Sequence, residues 1–355
     1  GQKILKNLNI SKCIFYGESA VIFSQIAGKT TIHESEFNEK FLYHANVNWG
    51  TINFGSVVFN NDVSFGQNKY TDGFSFNTVE INGKSRLHSN TYNSNFHFTA
   101  VQLNNKSVFK NEKYENAYFQ DIEFSLMSHL FEEISLSNDS SLTFRNIFFP
   151  KNVSLHICDT YKMIFIDSDI SDVKFSSCNW NSPNRLIIFD EIKRKSSIIE
   201  LKKLEDIYRQ FKKNFENYKD WELSGKAYIS ELTIRKYRLW KERSYISWFI
   251  YSFYDLFGGF TQNYIKPLKW FLFLTLFLFP LYYLLFENFD VFSLYPLEYQ
   301  DCSVTNAFIK SLSASFPLIK TNLYYNNWWM QAIQILISTI LITFFILGLR
   351  KRFKQ

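Results

Sequence analysis

Residues 54–81 read FGSVVFNNDVSFGQNKYTDGFSFNTVEI and contain one full period of the pattern that decides the fold. The pattern is an apolar residue, a second inward residue three positions on, and another apolar residue two positions later, as in Phe54, Val57 and Phe59. It begins again at Phe76, 22 residues after its first start. A period of this length is typical of a chain that winds in stacked coils.

The motif extends well beyond this stretch in both directions. It begins eight times, at intervals of 22, 22, 22, 22, 21, 25 and 21 residues. Its first positions are Ile10, Ile32, Phe54, Phe76, Phe98, Phe119, Phe144 and Phe165. A second apolar position follows half a period later, at Ile22, Tyr43, Phe65, Leu87, Phe109, Leu130, Leu155 and Phe175. We therefore predict a β-solenoid of about eight coils over residues 1–180, with parallel ladders between coils.

A β-sandwich is the alternative fold, because its strands also recur, about every 8–12 residues. The constant spacing of 22 favours the solenoid. Asn and Ser suit the corners, since they tolerate tight turns and bond their own backbone. The end coils need covers against edge pairing. We expect the helical segment after Trp180 to cover the last coil, and residues 1–9 are the candidate cover for the first.

Charge divides the chain into three unlike parts. Residues 1–180 carry a net charge of −3, residues 181–267 of +6 and residues 268–355 of +3. A basic segment beside an apolar one favours anionic lipid headgroups as partners over nucleic acid, which we do not expect to bind. No apolar run of signal-peptide length occurs near residue 1, so we expect residues 1–180 to stay in the cytoplasm.

No residue pattern predicts an enzyme, a metal site or a cofactor. The cysteines, Cys13, Cys158, Cys178 and Cys302, form no CxxC pair and predict no disulfide framework; pairing of Cys302 between subunits is the alternative to a free thiol. The six histidines fall in different coils, and we expect His44 and His88, two periods apart, not to be neighbours. No Ser/His/Asp grouping, phosphate loop or paired-carboxylate motif is visible.

Two stretches near the end of the chain predict membrane spans. Residues 267–286 read PLKWFLFLTLFLFPLYYLLF, with 17 uncharged residues after Lys269, and residues 328–349 read WWMQAIQILISTILITFFILGL, with 22. Crossing a hydrocarbon core takes about 20 helical residues. We predict spans at about 268–286 and 328–349. Pro280 is expected to kink the first, which a bilayer helix tolerates if a neighbour covers the freed carbonyl. The alternative is a buried apolar hairpin in a soluble protein.

Aromatic and cationic residues at the ends of these spans predict their orientation. The predicted anchors are Trp270, Trp328, Trp329, Arg350, Lys351 and Arg352. The positive-inside rule places both outer flanks in the cytoplasm and the loop of residues 287–327 outside. These features predict a multi-pass protein of the bacterial inner membrane with both termini cytoplasmic.

The middle of the chain reads as helical. Residues 181–243 predict a basic helical connector, either a solvated spacer or a gating linker, with apolar residues on one face. Residues 244–260 are rich in aromatics and too interrupted to span a bilayer. We predict an interfacial helix there, with packing into the protein as the alternative. Residues 261–355 complete the predicted organisation as a two-span domain.

Two resemblances add to this interpretation. Apolar residues recur every five positions at Phe37, Leu42, Val47, Ile52 and Val57, which resembles a degenerate pentapeptide-repeat protein. The segment from Tyr208 to Glu231 resembles the helical hairpin that joins such repeats to a two-span ion-channel-like domain in bacterial proteins. The second resemblance covers residues 198–355 and implies an oligomer, most simply of four chains, with the solenoid serving as a binding surface.

The loop between the spans holds the position of a pore helix. Residues 311–316, SLSASF, resemble that helix, but residues 317–322, PLIKTN, contain no Gly where the family's filter has one, so potassium selectivity is not carried over. Polar residues also mark the second span. The predicted pore-lining residues are Ser311, Ser313, Ser315, Gln331, Gln334, Ser338, Thr339 and Thr343. The alternative role for these groups is hydrogen bonding between helices of a simple anchor.

Two functions fit the predicted architecture. The first is an oligomeric channel-like or membrane-permeabilising effector whose cytoplasmic solenoid senses a ligand or protein partner, in a setting such as bacterial stress or phage defence. The second is a non-conducting membrane anchor that presents the solenoid as a binding scaffold. Both imply the lipid bilayer as a partner, and only the first requires self-association.

Overall fold

A computed structural model describes residues 4–137, 140–180, 184–193, 197–286, 303–316 and 328–353. The chain forms two compact units, Gly1–Arg238 (unit 1) and Leu239–Gln355 (unit 2). Unit 1 holds the solenoid together with most of the helical connector, and unit 2 holds the apolar helices. The finer division at residues 180, 243 and 260 stays a prediction.

Unit 1 begins with a parallel β-solenoid, as predicted. One sheet contributes a single short strand to each of eight coils. These strands are Ser19–Ile22, Phe41–His44, Val63–Gly66, Ser85–His88, Ser107–Lys110, His129–Glu132, Val153–His156 and Lys174–Ser176. They pair in this order, all in parallel, so each coil lies directly on the one before it.

The other side of each coil belongs to a sixteen-stranded parallel sheet. Its strands are Ile4–Leu5, Leu8–Ser11, Ile14–Phe15, Gln25–Ile26, Thr30–His33, Glu36–Phe37, Val47–Asn48, Ile52–Phe59, Lys69–Tyr70, Phe74–Ile81, Thr91–Leu103, Lys113–Gln120, Glu123–Phe124, Ser135–Leu136, Leu142–Arg145 and Met163–Ile166. Short strands merge into longer ones in the middle coils, although the corner residues inside them, Ser56, Thr78 and Ala100, have a positive φ.

The register confirms the motif that decides the fold. Phe54 pairs with Ile32 on one side and with Phe76 on the other, and the first positions of all eight copies stack in one ladder. Phe54 is fully buried, and its ring lies 4.9 Å from that of Phe76. Six of the eight stacked first positions are phenylalanine, and burial of these large rings stabilises the stacking of the coils from Phe54 onwards.

The second apolar ladder differs from the prediction at two of its eight positions. Val21 and Phe131 point inward, whereas Ile22 is 42 % exposed and Leu130 is half-buried. Successive side chains of a strand point to opposite faces, so a slip of one residue exchanges core for solvent. Both places offer two adjacent apolar residues, and only stacking on the neighbouring coils selects the inward one.

The prediction that His44 and His88 are not neighbours was wrong. Gly66 occupies the stacked position between them, and its missing side chain lets the two rings approach to 5.3 Å between centroids. A Cβ at Gly66 would lie only 2.3 Å from Nε2 of His88. Burial is the main cause that lowers the pKa of both imidazoles below the ordinary value. The pair is therefore neutral at pH 7 and is a close packing contact.

The corners of the coils share a backbone conformation more than they share a residue type. Sixteen non-glycine residues of the solenoid have a positive φ of 48–57°, spaced about eleven apart. They are Lys12, Phe23, Glu34, Ala45, Ser56, Gln67, Thr78, Ser89, Ala100, Asn111, Asp121, Glu133, Asn146, Ile157, Asp167 and Ser177. Only some are the predicted Asn and Ser. Inter-coil hydrogen bonds, such as Ser89 N–H to the Lys110 carbonyl at 2.9 Å, stabilise this unfavourable conformation for any side chain.

A polar ladder runs through the apolar interior of the middle coils. The Asn68 side-chain amide donates to Oδ1 of Asn90 at 3.0 Å, and the Asn90 amide donates to Oε1 of Glu112 at 3.0 Å. Asn46 extends the ladder at the other end. Glu112 is fully buried, and burial raises its pKa to about 8. At neutral pH the ladder therefore ends mostly in an uncharged carboxylic acid.

Three helices complete unit 1 and cover the last coil, as predicted. They are α1 (Phe189–Lys193), α2 (Ile198–Asn217) and the greater part of α3 (Trp221–Lys241). Phe211 of α2 packs on Phe175 with ring centroids 5.5 Å apart. The Asn214 amide donates to the carbonyls of Ile170 and Val173, at 2.9 and 2.6 Å. These bonds satisfy main-chain groups that the end of the solenoid would otherwise leave open.

Unit 2 is helical. Its helices are α4 (Tyr245–Gly258), α5 (Ile265–Phe273), α6 (Phe279–Phe286), α7 (Val304–Ser315) and α8 (Trp328–Phe353). A π-helical turn, Leu274–Leu278, joins α5 to α6, and a short 3₁₀ turn, Gly259–Thr261, follows α4. Phe271, Phe279, Tyr283, Ala307 and Leu341 form the centre of its apolar core.

Candidate membrane-spanning and pore site

Two helical stretches of unit 2 are long and apolar enough to cross a membrane. They are Ile265–Leu285, of 21 residues, and Trp329–Lys351, of 23 residues. At about 1.5 Å per residue, each matches a hydrocarbon core of roughly 30 Å. Both carry large apolar side chains that unit 2 leaves exposed, among them Phe277 at 66 % and Leu336 at 62 %. Lipid chains would cover such side chains.

The main-chain hydrogen-bonding pattern of the first stretch changes near Pro280. Because proline has no N–H, a carbonyl in the preceding turn loses its donor. The π-helical turn Leu274–Leu278 precedes the proline, and in that register the carbonyl five residues before it belongs to Thr275. The Ser311 hydroxyl of α7 donates to this carbonyl at 2.7 Å. A neighbouring helix thus covers the carbonyl, which is the condition under which a bilayer helix tolerates a proline.

Helix α7 lies against both apolar stretches, and one glutamine of α8 joins them. The Gln334 amide donates to the Ser311 carbonyl and to the Ser315 hydroxyl, each at 2.8 Å. Its Oε1 accepts a hydrogen bond from the Tyr283 hydroxyl at 2.9 Å. Gln334 is fully buried. An amide in an apolar setting is costly unless it is bonded on both its oxygen and its nitrogen, and here both are used.

The hydroxyls around Gln334 complete a closed network. Ser315 lies 3.1 Å from the Thr275 hydroxyl and accepts a hydrogen bond from the Ser338 hydroxyl at 3.3 Å. Ala307 and Ala314 on the same face of α7 are also buried, and small residues let helices approach closely. The network therefore fixes α7 between the two candidate spans.

The structure separates the eight predicted pore-lining residues into two groups. Ser311, Ser315, Gln334 and Ser338 are buried and bond one another inside the chain. The others are half-buried or exposed: Ser313, Gln331, Thr339 and Thr343. The Thr339 hydroxyl donates to the carbonyl four residues before it in α8, at 2.8 Å, and the hydroxyl of Thr343 does the same. A role in lining a pore stays a prediction for both groups.

The predicted anchors lie at the ends of the candidate spans. The Trp270 indole donates to the Leu256 carbonyl at 3.1 Å, and Trp329 packs on Tyr282 with ring centroids 6.2 Å apart. Arg350 and Lys351 are exposed. The side chains of Trp328 and Arg352 lie outside the described part of the structure, as do residues 287–302 and 317–327, which include Cys302 and the filter position.

Sequence reasoning missed two members of the network, Thr275 and Tyr283. A signal for the first was present, since Thr275 is the one hydroxyl residue in the apolar run of residues 270–281. Tyr283 was hidden because tyrosine near the end of a span is equally expected as an interface residue. Only the contacts of Thr275 with Ser315 of α7 and of Tyr283 with Gln334 of α8 show that both side chains point inward.

Unit 1 has an open groove that is a candidate surface for a partner. Its volume is about 460 Å³, and it follows a row of stacked corners on the solenoid. Its polar lining residues are Ser56, Thr78, Glu80, Gln102, Asp121 and Glu123. Three carboxylates among them give the groove an acidic character. Among the residues that the structure describes, no three His, Cys, Asp or Glu side chains are grouped as metal ligands.

The chain is thus a β-solenoid protein with a helical cover and two helices apolar enough to span a membrane. No family model, no curated protein and no solved structure matches it.

Proposed function

We propose that this chain is an oligomeric channel-like or membrane-permeabilising protein of a bacterial cell membrane, gated by a ligand or protein that binds its cytoplasmic solenoid. The observation that carries the proposal is the placement of α7 between two apolar helices, fixed by Gln334. Its 12 residues extend about 18 Å, too short to cross a bilayer. Two-span channel-like domains have the same order of parts: an outer span, a re-entrant helix and an inner span.

The residues proposed to line an ion pathway are polar residues of α8 that take no part in the hydrogen-bond network around Gln334. Gln331, Thr339 and Thr343 lie within a 120° sector of α8 if each residue turns the helix by about 100°. Thr339 and Thr343 are exposed. Polar groups on a lipid-facing helix favour contact with other helices or with water. In the proposed assembly this stripe faces the centre.

Two spans cannot enclose a pore alone, so the proposal requires several chains, most simply four. The mass of the full chain in detergent, corrected for bound detergent, tests this directly. Four chains of 42.3 kDa give about 169 kDa (4 × 42.3). A stable monomer at every protein concentration would exclude a central pore, whereas a tetramer would satisfy the first requirement of the proposal.

The solenoid supplies the sensing part of the proposal. The resemblance of the solenoid to pentapeptide-repeat proteins is part of this proposal. Among the apolar residues that recur every five positions, Phe37, Ile52 and Val57 are buried, whereas Leu42 and Val47 are half-buried. A basic partner fits the acidic groove along the corners by charge. No catalytic role is proposed for the chain. In the proposed setting, opening of the channel depolarises the cell during stress or phage infection.

A second function is favoured by a different observation. Ser311, Ser315, Gln334 and Ser338 satisfy one another within one chain, which is what a simple helical anchor needs. The alternative is therefore a non-conducting anchor that presents the solenoid as a scaffold. Replacing residues 268–355 by an unrelated two-span anchor separates the two: partner binding and phenotype survive in a scaffold and the phenotype is lost in a channel.

A further inference from the structure

Helix α4 presents a broad apolar face to solvent. Tyr245, Ile246, Phe249 and Ile250 are 55, 81, 63 and 59 % exposed, and Leu256 is 49 % exposed. At about 100° per residue these five side chains fall within an arc of roughly 140°. Contiguous exposed apolar surface of this kind marks an interaction site. Isolated exposed apolar residues would need no such explanation.

The other face of α4 is fixed within unit 2. Trp248 packs on Trp240, with ring centroids 4.9 Å apart, and Tyr254 packs on Phe344 at 5.5 Å. Gly258 at the end of α4 lies so close to Phe344 that a Cβ there would sit 3.1 Å from the ring. The rotation of α4 about its axis is therefore set, and the apolar face remains uncovered by unit 2.

The end of α4 is attached to the start of the first candidate span. The Lys266 ammonium donates to the Asp255 carbonyl at 2.6 Å, and the Trp270 indole donates to the Leu256 carbonyl at 3.1 Å. Phe257 also packs on Trp270, with ring centroids 5.2 Å apart. The apolar face of α4 is thus held beside the residues where the Ile265–Leu285 stretch would enter a bilayer.

Cationic residues flank α4 in sequence at both ends. Lys241 and Arg243 precede it, with Glu242 between them, and Lys266 and Lys269 follow it. Its one acidic residue, Asp255, lies 3.5 Å from the Lys266 ammonium. Arg243 and Lys269 are exposed. An apolar face with cations at its ends is the pattern of a helix that lies in an anionic lipid surface.

We propose that α4 is a membrane-surface helix whose apolar face inserts among anionic lipid headgroups where the first span begins. The inference rests on the proposed placement of unit 2 in a bilayer and is independent of conduction. It assigns the lipid headgroup layer as the partner of this face, in preference to a second protein, because the face is continuous with a candidate span and bordered by cations.

The test places an environment-sensitive label on each side of α4 in the full chain. In a background with the native cysteines replaced by serine, Phe249→Cys probes the apolar face and Ser247→Cys the opposite face. Both are labelled in vesicles of phosphatidylcholine with or without phosphatidylglycerol. We expect the label at 249 to lose iodide quenching and to be quenched by brominated lipid, more strongly with phosphatidylglycerol. We expect the label at 247, on the face that packs within unit 2, to show no comparable quenching by brominated lipid and no dependence on phosphatidylglycerol.

Two results would overturn the inference. One is strong iodide quenching at 249 with no quenching by brominated lipid, which would mean that the face stays in water. The other is a label at 249 shielded from iodide and from brominated lipid alike, which would mean that protein covers it. Alkaline carbonate separates these failures from failure of the proposed function: a chain that it extracts is not in the bilayer at all, while a retained chain that never conducts leaves this inference standing.

Discussion

The Ser311 hydroxyl donates to the Thr275 carbonyl at 2.7 Å, across the gap between α7 and the helix that Pro280 interrupts. Pro280 leaves the Thr275 carbonyl without a main-chain donor, and the Ser311 hydroxyl of a second helix donates to it instead. Since proline removes the donor and serine replaces it, the two residues should be energetically coupled, although they lie 31 positions apart.

The first prediction concerns this coupling. Ser311→Ala should lower the free energy of unfolding by about 1–2 kcal/mol, because it leaves a buried carbonyl without a donor. In a Pro280→Ala background the same substitution should cost less than half as much, since the helix can then supply its own N–H. Unfolding in mixed micelles with increasing dodecyl sulfate measures both steps.

Ser313→Ala is the matched control for that cycle. The Ser313 hydroxyl donates to the Lys310 carbonyl of its own helix at 3.0 Å and takes no part in the repair. Its effect should be small and equal in both backgrounds. Identical costs of Ser311→Ala with and without Pro280 would show that the serine does not cover a carbonyl freed by the proline.

A second prediction follows from the buried end of the asparagine ladder. Burial raises the pKa of Glu112 from 4.5 to about 8, so the folded chain binds an extra proton between these pH values. Stability should therefore fall as pH rises from about 5 to 8. Glu112→Gln keeps the acceptor for Asn90 and removes the charge. It should match the wild type near pH 5 and exceed it by several kcal/mol near pH 9.

Thermal unfolding at pH 5, 7 and 9 measures this difference. Glu115→Gln serves as the control, because Glu115 is exposed and lies outside the buried ladder. If the Glu112→Gln and wild-type melting curves shifted in parallel across this pH range, Glu112 would ionise as readily in the folded chain as in the unfolded one.

A third prediction tests the close stacking of coils. A Cβ at Gly83 would lie 2.1 Å from the main-chain carbon of Asn61 in the preceding coil, whereas one at Gly17 would meet nothing within 4 Å. Gly83→Ala should destabilise unit 1 by about 1–3 kcal/mol, since the backbone must shift. Gly17→Ala should be neutral or slightly stabilising. Equal melting temperatures for the two variants would contradict the stacking described.

The repeat made most of the solenoid predictable. One inward apolar residue per coil, as at Phe54, is predictable because every copy repeats the same requirement. Prediction failed where the orientation or contact of a side chain depends on residues of the neighbouring coils. Val21 and Ile22 are equally apolar, and the contact between His44 and His88 depends on a glycine in the coil between them.

Unit 2 was predictable in its parts and not in their contacts. Uncharged length identifies the two candidate spans, and hydroxyl and amide groups in apolar helices identify residues that need partners, such as Gln334. Which partners they find depends on how α6, α7 and α8 pack on one another. For this reason the sequence pointed to Gln334 but missed Tyr283.

The current carried by the purified full chain in a planar bilayer tests the proposed conduction most directly, with cysteine variants in a background lacking the native cysteines. We predict discrete conductance that a charged thiol reagent blocks in Thr339→Cys and leaves unchanged in Ile333→Cys, which lies about 120° away around α8. Ile333 is 41 % exposed, so both sites are accessible on the helix surface. A chain that inserts as an oligomer and never carries current would contradict the proposed channel.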